Sequence, residues 1–120
     1  MKALFDTNIL VDYLNGIPAA KRELDLYESC AICIVSWMEV MSGGEPQLAD
    51  TTRAFLNRFI AIRIDEPIAE RAVALRRERR LKLPDVISLA TALETGLILA
   101  TRNTKDFGDT LPGIRIPYRV

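Results

Sequence analysis

Five short apolar runs, separated by stretches of helical period, constrain this chain more than any other feature of it. The runs are Lys2 to Phe5, Ala31 to Val35, Ile60 to Ile64, Leu97 to Thr101 and Ile114 to Ile116. Between them, apolar residues recur at helical spacing: Ala20, Leu24 and Tyr27; Leu48, Thr52, Phe55, Leu56 and Phe59; Ile68, Ala72 and Leu75; Val86, Leu89, Ala90 and Leu93. Each such helix offers one face to a sheet. Strands alternating with helices imply a mostly parallel sheet covered on both sides, an α/β fold. The punctuation agrees: Gly43-Gly44 and Gly96 follow helices, Asp65-Glu66-Pro67 starts one, and Pro112-Gly113 makes a turn before the last strand.

A chain of 120 residues, 49% hydrophobic and 27% charged, suits one hydrophobic core, so a single domain over residues 1–120 is expected. No apolar stretch approaches the ~18 residues of a membrane span, and no signal-peptide pattern opens the chain, which points to the cytoplasm. Sixteen basic and sixteen acidic residues cancel, so any contact with nucleic acid must come from uneven distribution of charge.

Four carboxylates stand where apolar runs give way to turns or helices. Asp6 follows Ala3-Leu4-Phe5, Glu39 follows Ile32-Cys33-Ile34-Val35, Asp85 opens a helical stretch, and Asp106 follows the run ending at Thr101. In open α/β sheets ligands collect outside the carboxyl ends of strands, so acids repeated at such junctions can converge. The chain has no histidine and only two cysteines, which excludes a Ser-His-Asp triad and the usual nitrogen and sulfur zinc sites. An all-oxygen donor set suits hard cations such as magnesium, calcium or manganese. Each acid also has a plainer explanation. Ser36-Trp37-Met38-Glu39 matches a capping box, and Asp6, Asp85 and Asp106 each suit a cap or turn position. Their joint placement favours the shared site, and a helix N-terminus stabilises an ionised carboxylate in either role.

Cys30 and Cys33 have redox-like spacing but fall on a strand, where an offset of three points the thiols to opposite faces; they read as small buried hydrophobes. A basic stretch from Arg71 to Lys82 sets six cations against Glu78 and, read as a helix, puts Arg76, Arg77 and Arg80 on one face beside Asp85. Such a face suits RNA phosphates. It equally suits a solvated surface with a Glu78–Lys82 pair.

The acids and their flanking residues resemble the PIN-domain ribonucleases, specifically the VapC-like toxins of toxin–antitoxin pairs. Phe5-Asp6-Thr7-Asn8-Ile9-Leu10-Val11-Asp12 is similar to the opening motif, and Val35-Ser36-Trp37-Met38-Glu39-Val40 to the second. Leu83-Pro84-Asp85-Val86-Ile87-Ser88-Leu89-Ala90-Thr91-Ala92 is similar to the third, and Thr101-Arg102-Asn103-Thr104-Lys105-Asp106-Phe107 to the fourth. The resemblance spans nearly the whole chain. It implies a three-layer α/β/α sandwich and RNA cleavage dependent on Mg2+ or Mn2+. Within it, Asp6, Glu39, Asp85 and Asp106 are the catalytic and metal-binding acids, with Asp6 and Asp85 as direct ligands, Glu39 orienting or deprotonating the nucleophile, and Asp106 completing the pocket. Thr7, Asn8, Thr101 and Asn103 would orient water or phosphate, and Arg102 would join Arg76, Arg77 and Arg80 on the RNA backbone. The fourth motif departs from the pattern in carrying the neutral Asn103 where relatives can place an acid, which weakens a second metal position.

A cognate antitoxin and a homodimer are also implied. The helices bearing Tyr13, Leu14, Leu24, Leu26, Tyr27, Phe55 and Phe59 supply a candidate apolar groove for the antitoxin, unless that excess is core. An aspartyl phosphatase wants an acid at position 8, which is Asn8, and a phospho-receiver wants paired acids where Asp6-Thr7 stands. The alternative left open is a non-catalytic module of the same fold that binds RNA or a partner without cutting.

Overall fold

The computed structural model describes residues 2–107 and 113–119. Side-chain alternation along β1 (Lys2–Phe5) divides the interior into two cores, with Leu4 facing one way and Ala3 and Phe5 the other. The same division continues through β2 (Ser29–Cys33), where Ala31 and Cys33 join Leu4 while Ile32 joins Phe5. It continues through β4 (Ile98–Ala100), whose Leu99 and Ala100 part in the same manner. The edges are β3 (Ile60–Ile62) and β5 (Ile114–Arg115). The described strands form one sheet in the order β3-β2-β1-β4-β5, and every pairing in it is parallel.

Helices cover both faces. α5 (Glu66–Glu78) and α6 (Leu83–Thr95) bury Ile68, Ala72, Leu75, Val86, Leu89 and Ala90 against the Leu4 side. On the Phe5 side lie α1 (Thr7–Leu14), α2 (Pro18–Asp25), α3 (Ile34–Gly43) and α4 (Ala49–Leu56), the last after a 3-10 turn at Pro46–Leu48. A short α7 (Thr104–Phe107) follows β4. This is the expected three-layer α/β/α sandwich. Two helix ends follow the predicted chemistry: Asp65 caps α5 by accepting the Ile68 N–H at 3.0 Å, and Gly96 ends α6 at φ 71°. Gly113 turns at φ 81° before β5, whereas its expected turn partner Pro112 lies outside the described residues.

The strand order positions the site. The chain steps outward from β1 to β2 and β3, then returns to the other flank of β1 for β4 and β5. The order therefore reverses between β1 and β4, and a crevice opens beyond their carboxyl ends at such a point. Register sets Phe5 beside Ala100, so Asp6 and Thr101 leave the sheet side by side.

Three local expectations are corrected. β2 begins at Ser29, paired with Lys2, and its length is spent at Cys33; Ile34 and Val35, expected in the strand, open α3 instead. The capping box at Ser36 does not form. Cys33 occupies the cap position, and the buried Ser36 hydroxyl lies 3.4 Å from the Cys33 sulfur. α5 stops at Glu78 because the chain must turn to bury Leu81; Arg79 is extended (φ −126°, ψ 141°), and Arg76 Nη1 donates to the Leu81 carbonyl at 3.3 Å. Arg80 therefore lies beyond the helix and shares no helical face with Arg76 and Arg77. The Glu78–Lys82 spacing is no longer a helical one either. Cys30 and Cys33 do face opposite cores and are free thiols. Among the described residues no helix is long and apolar enough to cross a membrane.

Candidate active site

Asp6 is placed by the end of β1, where its N–H still bonds the Ala100 carbonyl at 2.9 Å, and by the start of α1, which it caps through the Thr7 N–H at 2.9 Å. The plain capping role and the site role thus fall on one residue. Its second carboxylate oxygen accepts the Thr101 hydroxyl at 2.8 Å, a bond that spans the switch point between β1 and β4. Asn8 stands over the same bond, with Nδ2 3.5 Å from Asp6 and 3.3 Å from Thr101. Thr7 turns the other way and donates its hydroxyl to Glu39 Oε1 at 2.8 Å. That contact brings the second turn of α3 to the cap of α1, so Glu39 reaches the site although its predicted capping box is absent.

Asp85 lies in the first turn of α6, with Lys82 rather than Asp85 at the cap position. Asp6 acts on its carboxyl through charge, and Asp106 through charge and hydrogen bonding. Asp106 is bracketed by Asn103, which donates Nδ2 to its carboxylate at 3.0 Å and accepts its N–H at 3.2 Å. Asn103 is tied back to Thr101, whose hydroxyl oxygen accepts the Asn103 N–H at 3.1 Å. All eight residues singled out as acids or water-orienting groups thus belong to one connected cluster at the carboxyl ends of β1 and β4.

Electrostatics set the acids apart from ordinary surface carboxylates. Burial pushes the Asp6 carboxyl up, the Thr101 and Thr7 bonds pull it back, and Glu39 repels it. Asp85 is pushed up to about 6, first by loss of solvent and then by Asp6 and Asp106. The positive ends of α1 and α6 favour ionised acids, but burial and mutual repulsion outweigh them here. Asp106 goes the other way, lowered first by the Asn103 bond and also by Asp85 and the nearby Lys82 and Lys105. Repulsion among these carboxylates outweighs the pull of Lys82 on Asp85, and a bound cation would relieve what remains.

The oxygen donors fit a hard divalent cation, although among the described residues no three acids already form a metal-holding group. Magnesium keeps several waters and takes one or two protein carboxylates directly, so a pair such as Asp6 and Asp85 meets its demand without a closed cage.

The predicted cations are less uniform. Arg77 and Arg80 are exposed, and Arg76 is exposed with one bond to Leu81. Arg71 is paired with Glu94. Arg102 is held by Asp12 through Nε at 2.6 Å and Nη2 at 3.1 Å, so its guanidinium is already engaged within the protein. Asp12 closes the opening motif, but sequence reasoning assigned it no role of its own; it is buried on α1, three residues along from the buried Ile9.

The predicted apolar groove is corrected in part: Leu14 and Leu26 are exposed as expected, but its other residues are not. Leu24, Tyr27 and Phe55 are core, and Phe55 stacks on Tyr13 with ring centroids 4.6 Å apart and meets Phe59 edge-on at 5.2 Å. An open groove of about 390 Å³ lies instead between α1, α3 and the start of α4, lined by Val11, Leu14, Val40, Leu48 and Thr52, with Glu39 and Glu45 at its rim.

The PIN domain family matches residues 3–110. Among solved structures, a toxin–antitoxin complex from Klebsiella pneumoniae contains a chain 49% identical, covering 98% of this chain and 99% of that one at a TM-score of 0.93. Two more distant structures share the fold. VapBC2 from Rickettsia felis, bound to a DNA fragment from its promoter, is 22% identical over 95% of this chain and 96% of that one (TM-score 0.80). FitAcB from Neisseria gonorrhoeae is 21% identical over the whole of both chains (TM-score 0.79). No curated protein matches. With the family match covering most of its length and all four acid-bearing segments, this chain belongs to the PIN domain family.

Proposed function

We propose that the chain is a metal-dependent endoribonuclease that hydrolyses RNA phosphodiester bonds, as the toxin of a toxin–antitoxin pair acting in the cytoplasm. The observation that carries this reading is the convergence of Asp6, Glu39, Asp85 and Asp106 on the β1/β4 switch point, with Asp85 raised to about 6 by burial and by its acidic neighbours. Asp6 and Asp85 are the proposed ligands of Mg2+ or Mn2+, and Glu39 and Asp106 act from the rim through water. A divalent cation held there would neutralise charge on the phosphate and acidify water at neutral pH. Glu39 has one carboxylate oxygen fixed by Thr7. The other oxygen remains to orient the attacking water and take its proton. Thr101 and Asn8 hold Asp6 in place, and Asn103 holds Asp106, so the acids need little reorganisation when substrate arrives. Arg76, Arg77 and Arg80 are the proposed grip on the RNA backbone; Arg102 would serve there only by leaving Asp12.

The partner part of the proposal rests on the 49% identical chain found in a toxin–antitoxin complex and on the groove beside Glu39. An amphipathic antitoxin segment would lay apolar side chains on Val11, Leu14 and Leu48 and send an arginine towards Glu39, in competition with metal. Homodimerisation is proposed from the family resemblance, and sedimentation showing only monomer at micromolar concentration would remove it.

Purified chain, freed of any partner, tests the catalytic reading directly. Single-stranded RNA should be cut with Mg2+ or Mn2+ and spared with chelator, and saturating metal should raise the melting temperature by linkage. Absence of both effects would leave only the non-catalytic reading of the fold.

A further inference from the structure

The geometry points to Asp12, an acid outside the proposed catalytic set, as the positioning residue for the Thr101 to Asp106 side of the site; this rests on the nuclease reading above. Asp12 is only 6% exposed, yet three donors converge on its carboxylate: Arg102 Nε at 2.6 Å, Arg102 Nη2 at 3.1 Å and the Tyr118 hydroxyl at 2.8 Å. It lies six residues from Asp6, roughly 9 Å along the axis of α1, and both of its carboxylate oxygens are already taken up by Arg102 and Tyr118. Its partner is better placed. Arg102 stands between Thr101, which bonds Asp6, and Asn103, which brackets Asp106. The Arg102 N–H also donates to Asn8 Oδ1 at 3.3 Å.

The three-residue link from β4 to α7 is thus pinned at its middle residue by an acid on α1, the helix that Asp6 caps. A bidentate guanidinium–carboxylate pair fixes direction as well as distance. It sets one half of the acid cluster at a defined separation from the other. A displacement of about 1 Å there would cost on the order of a hundredfold in rate.

Asp12→Asn, Arg102→Gln and the double variant test this in steady-state RNA cleavage with Mn2+. Supporting partners of metal ligands typically cost about ten- to a hundredfold when removed, so each single variant should lose about that factor in kcat. KM should stay within about twofold, and the double variant should be no worse than either single. If Arg102 instead grips phosphate, Arg102→Gln raises KM and Asp12→Asn, which frees the guanidinium, leaves kcat unchanged; that pattern overturns the proposal. Arg102→Lys, which keeps the charge but loses the fork, should also lose kcat alone, and full activity in it would count against the idea even if Asp12→Asn fails to fold. Native-state hydrogen exchange gives a readout independent of cleavage. The Arg102 and Asn103 amides should exchange at least about tenfold faster in Asp12→Asn, relative to amides of β1. Unchanged exchange overturns the positioning role. A wild-type chain that cuts no RNA, with exchange altered as expected, would sink the nuclease reading alone.

Discussion

Replacing Asp85 by asparagine should make the metal-free protein more stable near neutral pH, although the same change removes a proposed ligand. The carboxyl is raised from 3.8 to about 6 by desolvation, by Asp6 and by Asp106. The folded state therefore holds this proton more tightly than the unfolded chain does. Its favourable contribution is fully present below the unfolded value of 3.8 and is lost as pH rises through about 6. At pH 7.5 the ionised group is a net cost. A shift of about two units corresponds to roughly 3 kcal/mol. Because Asp85 is only partly buried, solvent screening reduces that to about 1–1.5 kcal/mol. Asparagine keeps the shape and carries no charge, so the variant should melt about 4–6 °C higher at pH 7.5 in chelator. The gain should vanish by pH 3.5. Saturating Mn2+ should then raise the wild type more than the variant, narrowing or reversing the gap. Thermal denaturation by circular dichroism at the two pH values, with and without metal, measures all of this. A variant less stable than wild type at pH 7.5, or a difference independent of pH, would refute the repulsion on which the site is argued.

Charge reversal of Arg76, Arg77 and Arg80 together should weaken RNA binding and flatten its dependence on salt, since fewer counterions are released; an unchanged salt slope in a filter-binding titration would assign them to solvated surface. Leu14→Asp or Val11→Asp should leave RNA cleavage intact while lowering affinity for an antitoxin-like partner at least tenfold by calorimetry, because each places an unpaired charge in the groove. Equal affinity would move the docking surface elsewhere.

Much of this molecule was legible because its signals are local and repeat. Alternating runs and helical faces named the strands, the parallel sheet and its two covering layers, and the order of the strands sets Asp6 and Thr101 side by side. What could not be read depends on partners remote in sequence. Ile34 and Val35 look like strand because they are β-branched and apolar, but pairing of Ser29 with Lys2 moves β2 two residues earlier and gives both to α3. Arg80 fits a helical wheel that the burial of Leu81 interrupts. Asp12 and Arg102 are 90 residues apart, so nothing local marked the arginine as engaged. Tyr13, Phe55 and Phe59 seemed surplus to one helix face because their mutual stacking, a tertiary fact, was invisible.

Cleavage of a fluorescent single-stranded RNA, by wild type and by Asp6→Asn prepared identically and shown to be folded, weighs most on the catalytic reading. Asp6 joins β1, α1 and Thr101 and is a proposed direct ligand. The wild type should cut only with Mg2+ or Mn2+, and the variant should lose at least about a hundredfold in rate, within the range expected for a group acting in the transition state. Cleavage that persists in Asp6→Asn, or that proceeds equally well in chelator, would contradict a metal-dependent site at the β1/β4 switch point.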